Sequence, residues 1–183
     1  MKAVHASDAA VDEVAAILNA GGVAVIPTDT VYGLAAHPSF PQAVERLYSI
    51  KGRERGKKIA LLASGAEAVE AFGTILPPKA RGLAERHWPG ALTMVVGEEG
   101  FRVPDHAWTR RLLAACGGVL RVTSANISGG RPATDAEQAL SEVGLSADIV
   151  ADDGPSRGGV PSTVVRVRDD GEIEVLRKGA VEI

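Results

Sequence analysis

Short apolar segments alternate along this chain with segments of helical periodicity, and that alternation constrains the fold more than any other feature. Val23–Ile26, Ile59–Ala63 and Val119–Thr123 are short and largely apolar, which is typical of strands buried in a sheet. Val11–Leu18 and Pro41–Ile50 carry apolar residues at helical spacing. Strands that alternate with helices predict an α/β domain.

The rest of the chain continues this pattern and ends in a hairpin. We predict further helices at Ser64–Phe72, Pro77–His87, Thr109–Cys116 and Thr134–Val143, and further strands at Leu92–Val96, Ile149–Val150, Ser162–Arg168 and Glu172–Leu176. The predicted helices Ser64–Phe72 and Thr134–Val143 each begin with the residue spacing of a capping box. Ser7 is a possible N-cap for the helix that contains Val11–Leu18. Asp169–Gly171 separates the last two strands and favours an antiparallel hairpin. The sequence therefore predicts a twisted mixed parallel and antiparallel sheet flanked by helices, in one domain over residues 1–183.

Composition restricts the class of protein. The 183 residues are 45% hydrophobic and 23% charged, as in globular domains. Twenty basic and 23 acidic residues give a net charge of −3, which argues against binding nucleic acid or anionic membranes through bulk charge. No apolar run approaches the roughly 20 residues of a spanning helix, and no signal peptide is evident. The single cysteine, Cys116, lies among apolar residues. We expect a cytoplasmic protein without membrane contact.

Three polar loops follow predicted strands. They are Thr28–Thr30, Ser124–Gly130 and Asp152–Gly159. Loops at the carboxyl ends of strands in an α/β sheet are common ligand sites. The same residue types also form ordinary turns, so each loop is either a site or a plain turn.

A basic run covers Arg46–Lys58, where six cationic side chains accompany the single carboxylate of Glu54. A solvated charged face is one interpretation. The other is a cradle for phosphates, because lysine offers a mobile point charge and arginine a planar fork. Few aromatic residues accompany the run, which disfavours single-strand binding by base stacking.

The sequence lacks the motifs of several common kinds of functional site. The chain has neither a Gly-x4-Gly-Lys-Ser/Thr loop nor a Gly-x-Gly-x-x-Gly motif. It has no His-Glu-x-x-His pattern and no cysteine pair, so no metal-ligating residues are predicted. Gly154–Gly158 matches the Gly-x-Ser-x-Gly nucleophile elbow, but a predicted strand rather than a helix follows, and no histidine comes later.

Seven short motifs occur in the order and spacing of one family. They are Gly22–Leu34 with Pro27-Thr-Asp-Thr-Val-Tyr-Gly, Lys51-x-Arg53, Trp88-Pro-Gly-x-Leu-Thr93, Arg102-x-Pro104, Ser124-x-Asn126, Ser162-Thr-Val and Arg177-x-Gly179. Together they span nearly the whole chain. The sequence resembles the YrdC family, the threonylcarbamoyl-adenylate synthases.

The resemblance implies an open sheet with a basic concave cavity and a nucleotidyltransferase activity. The family condenses L-threonine, bicarbonate and ATP to threonylcarbamoyl-AMP and pyrophosphate. The product serves a tRNA-modifying threonylcarbamoyltransferase complex. Mg²⁺ is expected to arrive with ATP. Positioning and charge neutralisation suit such a reaction, which needs no side-chain nucleophile.

Motif positions carry expected roles. Lys51 and Arg53 are expected to be catalytic, and Thr30, Arg102 and Ser162 to bind threonine, with Arg102 as the clamp for its carboxylate. The residues expected to bind ATP are Arg53, Lys57, Ser124, Asn126 and Arg177.

The sequence also departs from the family pattern. Glu54 follows Arg53 where proline is frequent, and Leu62 stands where many longer relatives have a threonine-contacting histidine. The chain ends just after the core domain, so we expect the additional C-terminal domain of longer members to be absent. Two other functions stay open: an RNA-binding module that uses the basic cavity without chemistry, with weak tRNA binding, and an inactive paralogue.

Overall fold

A computed structural model describes residues 2–183, which form ten strands and six α-helices. The strands are β1 (Lys2–His5), β2 (Val23–Ile26), β3 (Gly33–Ala36), β4 (Leu61–Ala63), β5 (Leu92–Val96), β6 (Glu99–Arg102), β7 (Val119–Ser124), β8 (Ile149–Asp152), β9 (Thr163–Val167) and β10 (Ile173–Arg177). The helices are α1 (Asp8–Asn19), α2 (Pro41–Lys51), α3 (Ala66–Ala71), α4 (Pro78–His87), α5 (Ala107–Ala115) and α6 (Ala136–Glu142), with a 3₁₀ turn at Gly144–Ser146.

All ten strands belong to one sheet, in the order β1-β8-β2-β3-β7-β4-β6-β5-β9-β10. Four pairs are parallel: β1 with β8, β2 with β8, β4 with β6, and β5 with β9. The remaining pairs are antiparallel. The prediction of a mixed sheet flanked by helices is confirmed.

Strand β2 shows why helices cover both faces of the sheet. Successive strand residues point to opposite faces. Ala24 and Ile26 pack with residues of α1 and α5, whereas Val23 and Val25 pack with residues of α2 and α6. All four residues of β2 are fully buried, which explains why this strand is continuously apolar rather than alternating.

Three strands, β1, β3 and β6, were not predicted from the sequence. Strand β6 is Glu-Gly-Phe-Arg, which contains no apolar run. Residues Lys2–His5 of β1 are mostly exposed, so they lack the apolar signal of a central strand. Strand β3 consists of Gly-Leu-Ala-Ala, a composition with low β propensity. It pairs antiparallel with β2, Ile26 opposite Gly33. The polar loop Thr28–Thr30 therefore lies in a hairpin connection between two central strands.

The predicted helix caps were only partly correct. Ser7 is at the N-cap of α1, but its side chain makes no capping hydrogen bond. Helix α3 begins after Gly65, so the predicted box at Ser64 is wrong. Helix α6 is capped by Asp135, one residue later than predicted, and the Asp135 carboxylate accepts a hydrogen bond from the backbone N–H of Gln138 at 2.8 Å.

The strand pairings bring several of the motifs together. Leu62 of β4 lies opposite Arg102 at the end of β6, and Gly33 of β3 lies opposite Ser124 at the end of β7. A Cβ at position 33 would come within 2.5 Å of the Val122 side chain, so glycine permits this close approach. Within residues 2–183, no helix combines the length and apolarity needed to cross a bilayer.

Candidate functional site

A cavity of about 910 Å³ lies where the β2–β3 loop, the α2–β4 loop and strands β5, β6, β7, β9 and β10 meet. Its cationic lining residues are Arg53, Lys57, Lys58, Arg102, Arg166 and Arg177. Among the described residues that line it, Glu98 is the only carboxylate, and its side chain pairs with Lys58 at 2.8 Å. The cavity is therefore suited to anionic ligands.

Arg102 and Thr30, both predicted to bind threonine, are in contact at one wall of the cavity. The Nη1 of Arg102 donates a hydrogen bond to the Thr30 hydroxyl at 2.8 Å, and Nη2 donates to the carboxylate of Asp29. Arg102 is 6% exposed. Burial lowers the pKa of Arg102, and the Asp29 charge opposes that shift.

Arg177 and Ser162 lie together. The Arg177 guanidinium donates to the backbone oxygen of Ser162 at 2.7 Å and to its hydroxyl at 3.2 Å. The Ser162 hydroxyl also lies 2.8 Å from that of Thr93. Burial, with the charges of Arg102 and Arg53, lowers the pKa of Arg177. Arg177, predicted for ATP, thus contacts Ser162, predicted for threonine. We call Thr30, Arg102, Ser162 and Arg177 the Arg102 cluster.

The predicted phosphate ligands Arg53 and Lys57 occupy a more open position. The guanidinium of Arg53 donates to the backbone oxygens of Lys57 at 2.8 Å and Lys58 at 3.2 Å. The Lys57 ammonium pairs with Glu54 at 3.0 Å, with both side chains more than 60% exposed. We call Arg53, Lys57 and Lys58 the Arg53 rim.

Only part of the basic run faces the cavity. Arg46 pairs with Asp148 at 2.8 Å, and Arg55 pairs with Glu45. Neither belongs to the cavity lining among the described residues. The interpretation of the run as a cradle therefore applies only to Arg53, Lys57 and Lys58, while Arg46 and Arg55 form surface ion pairs.

Lys51 lies beneath the Ser124–Gly130 loop rather than on the cavity wall. It is 2% exposed, and its Nζ donates to the backbone oxygens of Ser124 and Asn126, both at 2.5 Å. Burial and the Arg53 charge lower the pKa of Lys51 to about 8, while the two carbonyl acceptors favour its charged form. Within the described chain Lys51 does not line the cavity, and its expected catalytic role stays a prediction.

Asn126 stabilises the same loop. Its side-chain Nδ2 donates to the backbone oxygens of Ile127 at 2.7 Å and Gly130 at 2.9 Å. Ser124 lines the cavity, and its backbone is held by Lys51. The structure therefore brings Ser124 to the cavity and places Asn126 and Lys51 behind it, where they act on the shape of the loop.

Some lining residues were not singled out from the sequence. Thr93 lies within an apolar strand, and Arg166 within the terminal hairpin. The Trp-Pro-Gly-x-Leu-Thr motif contained Thr93, but only the β5–β9 pairing shows its hydroxyl meeting Ser162. Leu62, which departs from the family pattern, lines the cavity with an apolar side chain.

Other candidate nucleophiles and ligands lie elsewhere. The Ser156 hydroxyl of the elbow-like motif is buried without a hydrogen-bond partner. Burial raises the pKa of the Cys116 thiol to about 11, which makes it a poor nucleophile. Across residues 2–183, no three His, Cys, Asp or Glu side chains are grouped so that they could hold a metal ion.

Comparisons with known proteins agree with this fold. The Sua5/YciO/YrdC family model, described as "Telomere recombination", matches residues 16–179. A Mycobacterium tuberculosis relative is 38% identical over 178 residues, which cover 90% of this chain and 81% of the relative. A Bacillus subtilis relative named threonylcarbamoyl-AMP synthase is 32% identical, over 96% of this chain and 55% of its own length.

A solved structure has the same architecture. Pyrococcus abyssi Sua5, complexed with L-threonine, superposes with a TM-score of 0.87 at 27% identity. The match covers 97% of this chain and 56% of that protein, so this chain spans a little over half the length of the archaeal protein. Both the fold prediction and the predicted family resemblance are confirmed.

Proposed function

This chain belongs to the Sua5/YciO/YrdC family, and we propose that it is an L-threonylcarbamoyladenylate synthase. It condenses L-threonine, bicarbonate and ATP to threonylcarbamoyl-AMP and pyrophosphate. One observation carries the proposal: the cavity holds the Arg102 cluster, suited to a carboxylate, together with the Arg53 rim, suited to phosphates. The name of the Bacillus subtilis relative, a nucleotidyltransferase, supports it.

The Arg102 cluster binds L-threonine in this proposal. A guanidinium matches the geometry of a carboxylate, and the hydroxyls of Thr30 and Ser162 lie within the same cluster. Because these groups are buried and already held by hydrogen bonds, little ordering is needed when the ligand binds. The L-threonine in the Pyrococcus abyssi complex supports an amino acid as ligand.

The Arg53 rim and Ser124 bind ATP. Arg53, Lys57 and Lys58 present cationic groups at the open side of the cavity, where a triphosphate can enter without losing all its water. Lys51 and Asn126 contribute by holding the loop that carries Ser124. Arg177 of the Arg102 cluster is close enough to Arg53 for the charge of Arg53 to lower its pKa, so it also neutralises charge on the nucleotide.

The reaction needs no enzyme nucleophile. The amine of threonine attacks the carbon of bicarbonate, and water leaves as the carbamate forms. A carbamate oxygen then attacks the α-phosphorus of ATP, the bond between the α-phosphorus and the bridging oxygen breaks, and pyrophosphate leaves. The cationic cavity holds the two anions in line and neutralises developing charge, which are the two largest contributions to such transfers.

Mg²⁺ enters this proposal as part of the substrate. Glu98, the one carboxylate of the described lining, is engaged with Lys58. The metal is therefore expected to be held by the phosphates of ATP and by water, as is usual for Mg²⁺. When bound, it would neutralise phosphate charge.

The product is a mixed anhydride and therefore an acyl donor. A threonylcarbamoyltransferase complex that modifies tRNA in the cytoplasm would consume it. Weak binding of tRNA at the cationic cavity mouth is part of the same proposal.

The test is to incubate the purified protein with ATP, Mg²⁺, bicarbonate and L-threonine and to analyse quenched samples by mass spectrometry, with a parallel pyrophosphate assay. We expect a threonylcarbamoyl-adenylate mass that requires all three substrates. Arg53→Ala should reduce its formation. Arg55→Ala is the matched control, because Arg55 belongs to the same basic run but pairs with Glu45 on the surface.

Absence of the product from a folded protein that binds ATP would contradict the synthase. RNA binding that weakens steeply with salt, without ATP turnover, would then favour the RNA-binding module. A protein that neither binds RNA nor turns over ATP would favour an inactive paralogue.

A further inference from the structure

Asp29 pairs with Arg102 but does not line the cavity. Its carboxylate accepts a hydrogen bond from Arg102 Nη2, and its side chain is 13% exposed. Thr30 and Arg102 belong to the described cavity lining, whereas Asp29 does not. The Asp29 carboxylate therefore contacts the guanidinium without itself belonging to the cavity wall.

The orientation of Arg102 depends on two contacts. Thr30 holds Nη1 at 2.8 Å and Asp29 holds Nη2, while Nε is buried without a partner. Thr30 is itself fixed, since its hydroxyl lies 3.0 Å from that of Thr28. Of these contacts, only the one with Asp29 is charged on both sides, so it is the stronger of the two.

Charge repulsion makes this contact necessary. The charge of Arg102 lowers the pKa of Arg177, which means that the buried guanidinium of Arg102 and the more exposed one of Arg177 repel one another across the site. Among the described residues, Asp29 is the one carboxylate that pairs with Arg102. Without it, Arg102 would be an unpaired buried cation, free to turn towards the water of the cavity.

We propose that Asp29 is a positioning residue that fixes the Arg102 guanidinium, so that an amino-acid carboxylate meets an oriented group on the cavity wall. This inference rests on the proposed function, which assigns Arg102 to the threonine carboxylate. Asp29 does not touch the substrate. It acts through Arg102, and its loss weakens the binding of the carboxylate ligand while leaving the nucleotide nearly unaffected.

A carboxylate beside Arg102 is also compatible with a role opposite to positioning. Asp29 could compete with the ligand for the guanidinium, in which case its removal would tighten threonine binding. The position of Asp29 outside the cavity lining favours positioning, because a competing carboxylate would have to occupy the place of the ligand.

The test compares Asp29→Ala with Asp29→Asn by calorimetric titration of L-threonine. We expect Asp29→Ala to bind threonine at least tenfold more weakly than the wild type. Asp29→Asn should lose less, because its amide oxygen can still accept from Nη2. In the synthase assay, the KM for threonine should rise while that for ATP stays within twofold. Glu45→Gln, which alters an exposed pair with Arg55, is the control and should change neither.

A double-mutant cycle with Arg102→Ala separates positioning from an independent effect. If Asp29 acts through Arg102, Asp29→Ala should cause no further loss of threonine affinity in the Arg102→Ala background. The wild type, the two single variants and the double variant should also be unfolded thermally without ligand. Their stabilities should show a coupling energy between Asp29 and Arg102. Additive losses, zero coupling, or an Asp29→Ala protein that binds threonine as tightly as or more tightly than the wild type would overturn the inference.

The two proposals fail in different ways. A wild type that binds L-threonine but forms no threonylcarbamoyl-adenylate overturns the proposed synthase and leaves the Asp29 inference supported if its affinities change as expected. A wild type that forms the product, with threonine affinity unchanged in Asp29→Ala, overturns the inference alone. A wild type that binds no L-threonine overturns both.

Discussion

The Arg102 cluster and the Arg53 rim face one cavity but are built differently. Arg102 is 6% exposed and held by Thr30 and Asp29, whereas Lys57 has a side chain 61% exposed and only an exposed partner. Buried, hydrogen-bonded groups have fixed geometry and are little screened by salt. In the proposed function, the buried cluster would therefore select its ligand by shape, while the exposed rim would attract phosphates by charge.

Arg102→Ala gives the largest expected effect. Removing a buried partner of a ligand carboxylate costs about 2 to 5 kcal/mol, so kcat/KM for threonine should fall about 30-fold or more, with the KM for ATP little changed. Steady-state kinetics with each substrate varied in turn will measure this split. An unchanged KM for threonine would place the carboxylate elsewhere.

Lys51 should make stability depend on pH. Its pKa is about 8 in the folded protein, below the ordinary 10.5. Between pH 8 and 10.5 the unfolded chain binds more protons than the folded protein, so the free energy of unfolding should rise with pH, by at most about 3 kcal/mol. Below pH 8 the contribution of Lys51 should not change with pH. Denaturation of the wild type and Lys51→Met across pH 7–11 tests this. If the free energy of unfolding of the two proteins changed with pH in parallel, Lys51 would keep its charge in the folded protein, held by its two carbonyl acceptors.

Arg53→Ala should have a moderate effect on the nucleotide. A hydrogen bond to a charged group contributes about 1.5 to 3 kcal/mol, and the open position of Arg53 favours the lower figure. We expect the KM for ATP to rise about tenfold and that for threonine less than twofold. Equal rises in both constants would remove the distinction between cluster and rim. Arg55→Ala is again the control.

Salt should produce the smallest effect. Raising monovalent chloride from about 0.05 to 0.5 M shortens the screening length to a few ångströms. The KM for ATP should rise about threefold and that for threonine scarcely at all, with Mg²⁺ held constant. A threonine KM that rises as steeply as that for ATP would show that Arg102 is not shielded by its burial.

Much of the fold could be predicted from local patterns. The alternation of Val23–Ile26 with amphipathic helices predicts a mixed α/β sheet, because side-chain periodicity directly reflects which faces are buried. Strand β3 escaped prediction since its Gly-Leu-Ala-Ala sequence forms a strand only when β2 and β7 pair with it. Its conformation depends on partners that are distant in sequence.

The candidate site was likewise predicted only in part from the sequence. Sequence motifs identified Arg102, Thr30 and Ser162, which the fold brings to one cavity. They did not separate Lys51 from Arg53, which are two residues apart. Gly52 ends α2 with a φ of +59°, so the chain turns between them. The Lys51 ammonium then reaches carbonyls 73 and 75 residues away, while Arg53 lies at the cavity.

The sequence by itself determined which residue types are present, their order, and the periodicity that makes each segment a helix or a strand. Only the tertiary structure decided which cation faces the cavity, which is buried beneath a loop, and which pairs with a carboxylate on the surface. The physical reason is that charge and hydrogen bonding act between groups close in space, and Asp29 and Arg102, 73 positions apart, become neighbours only when the sheet has formed.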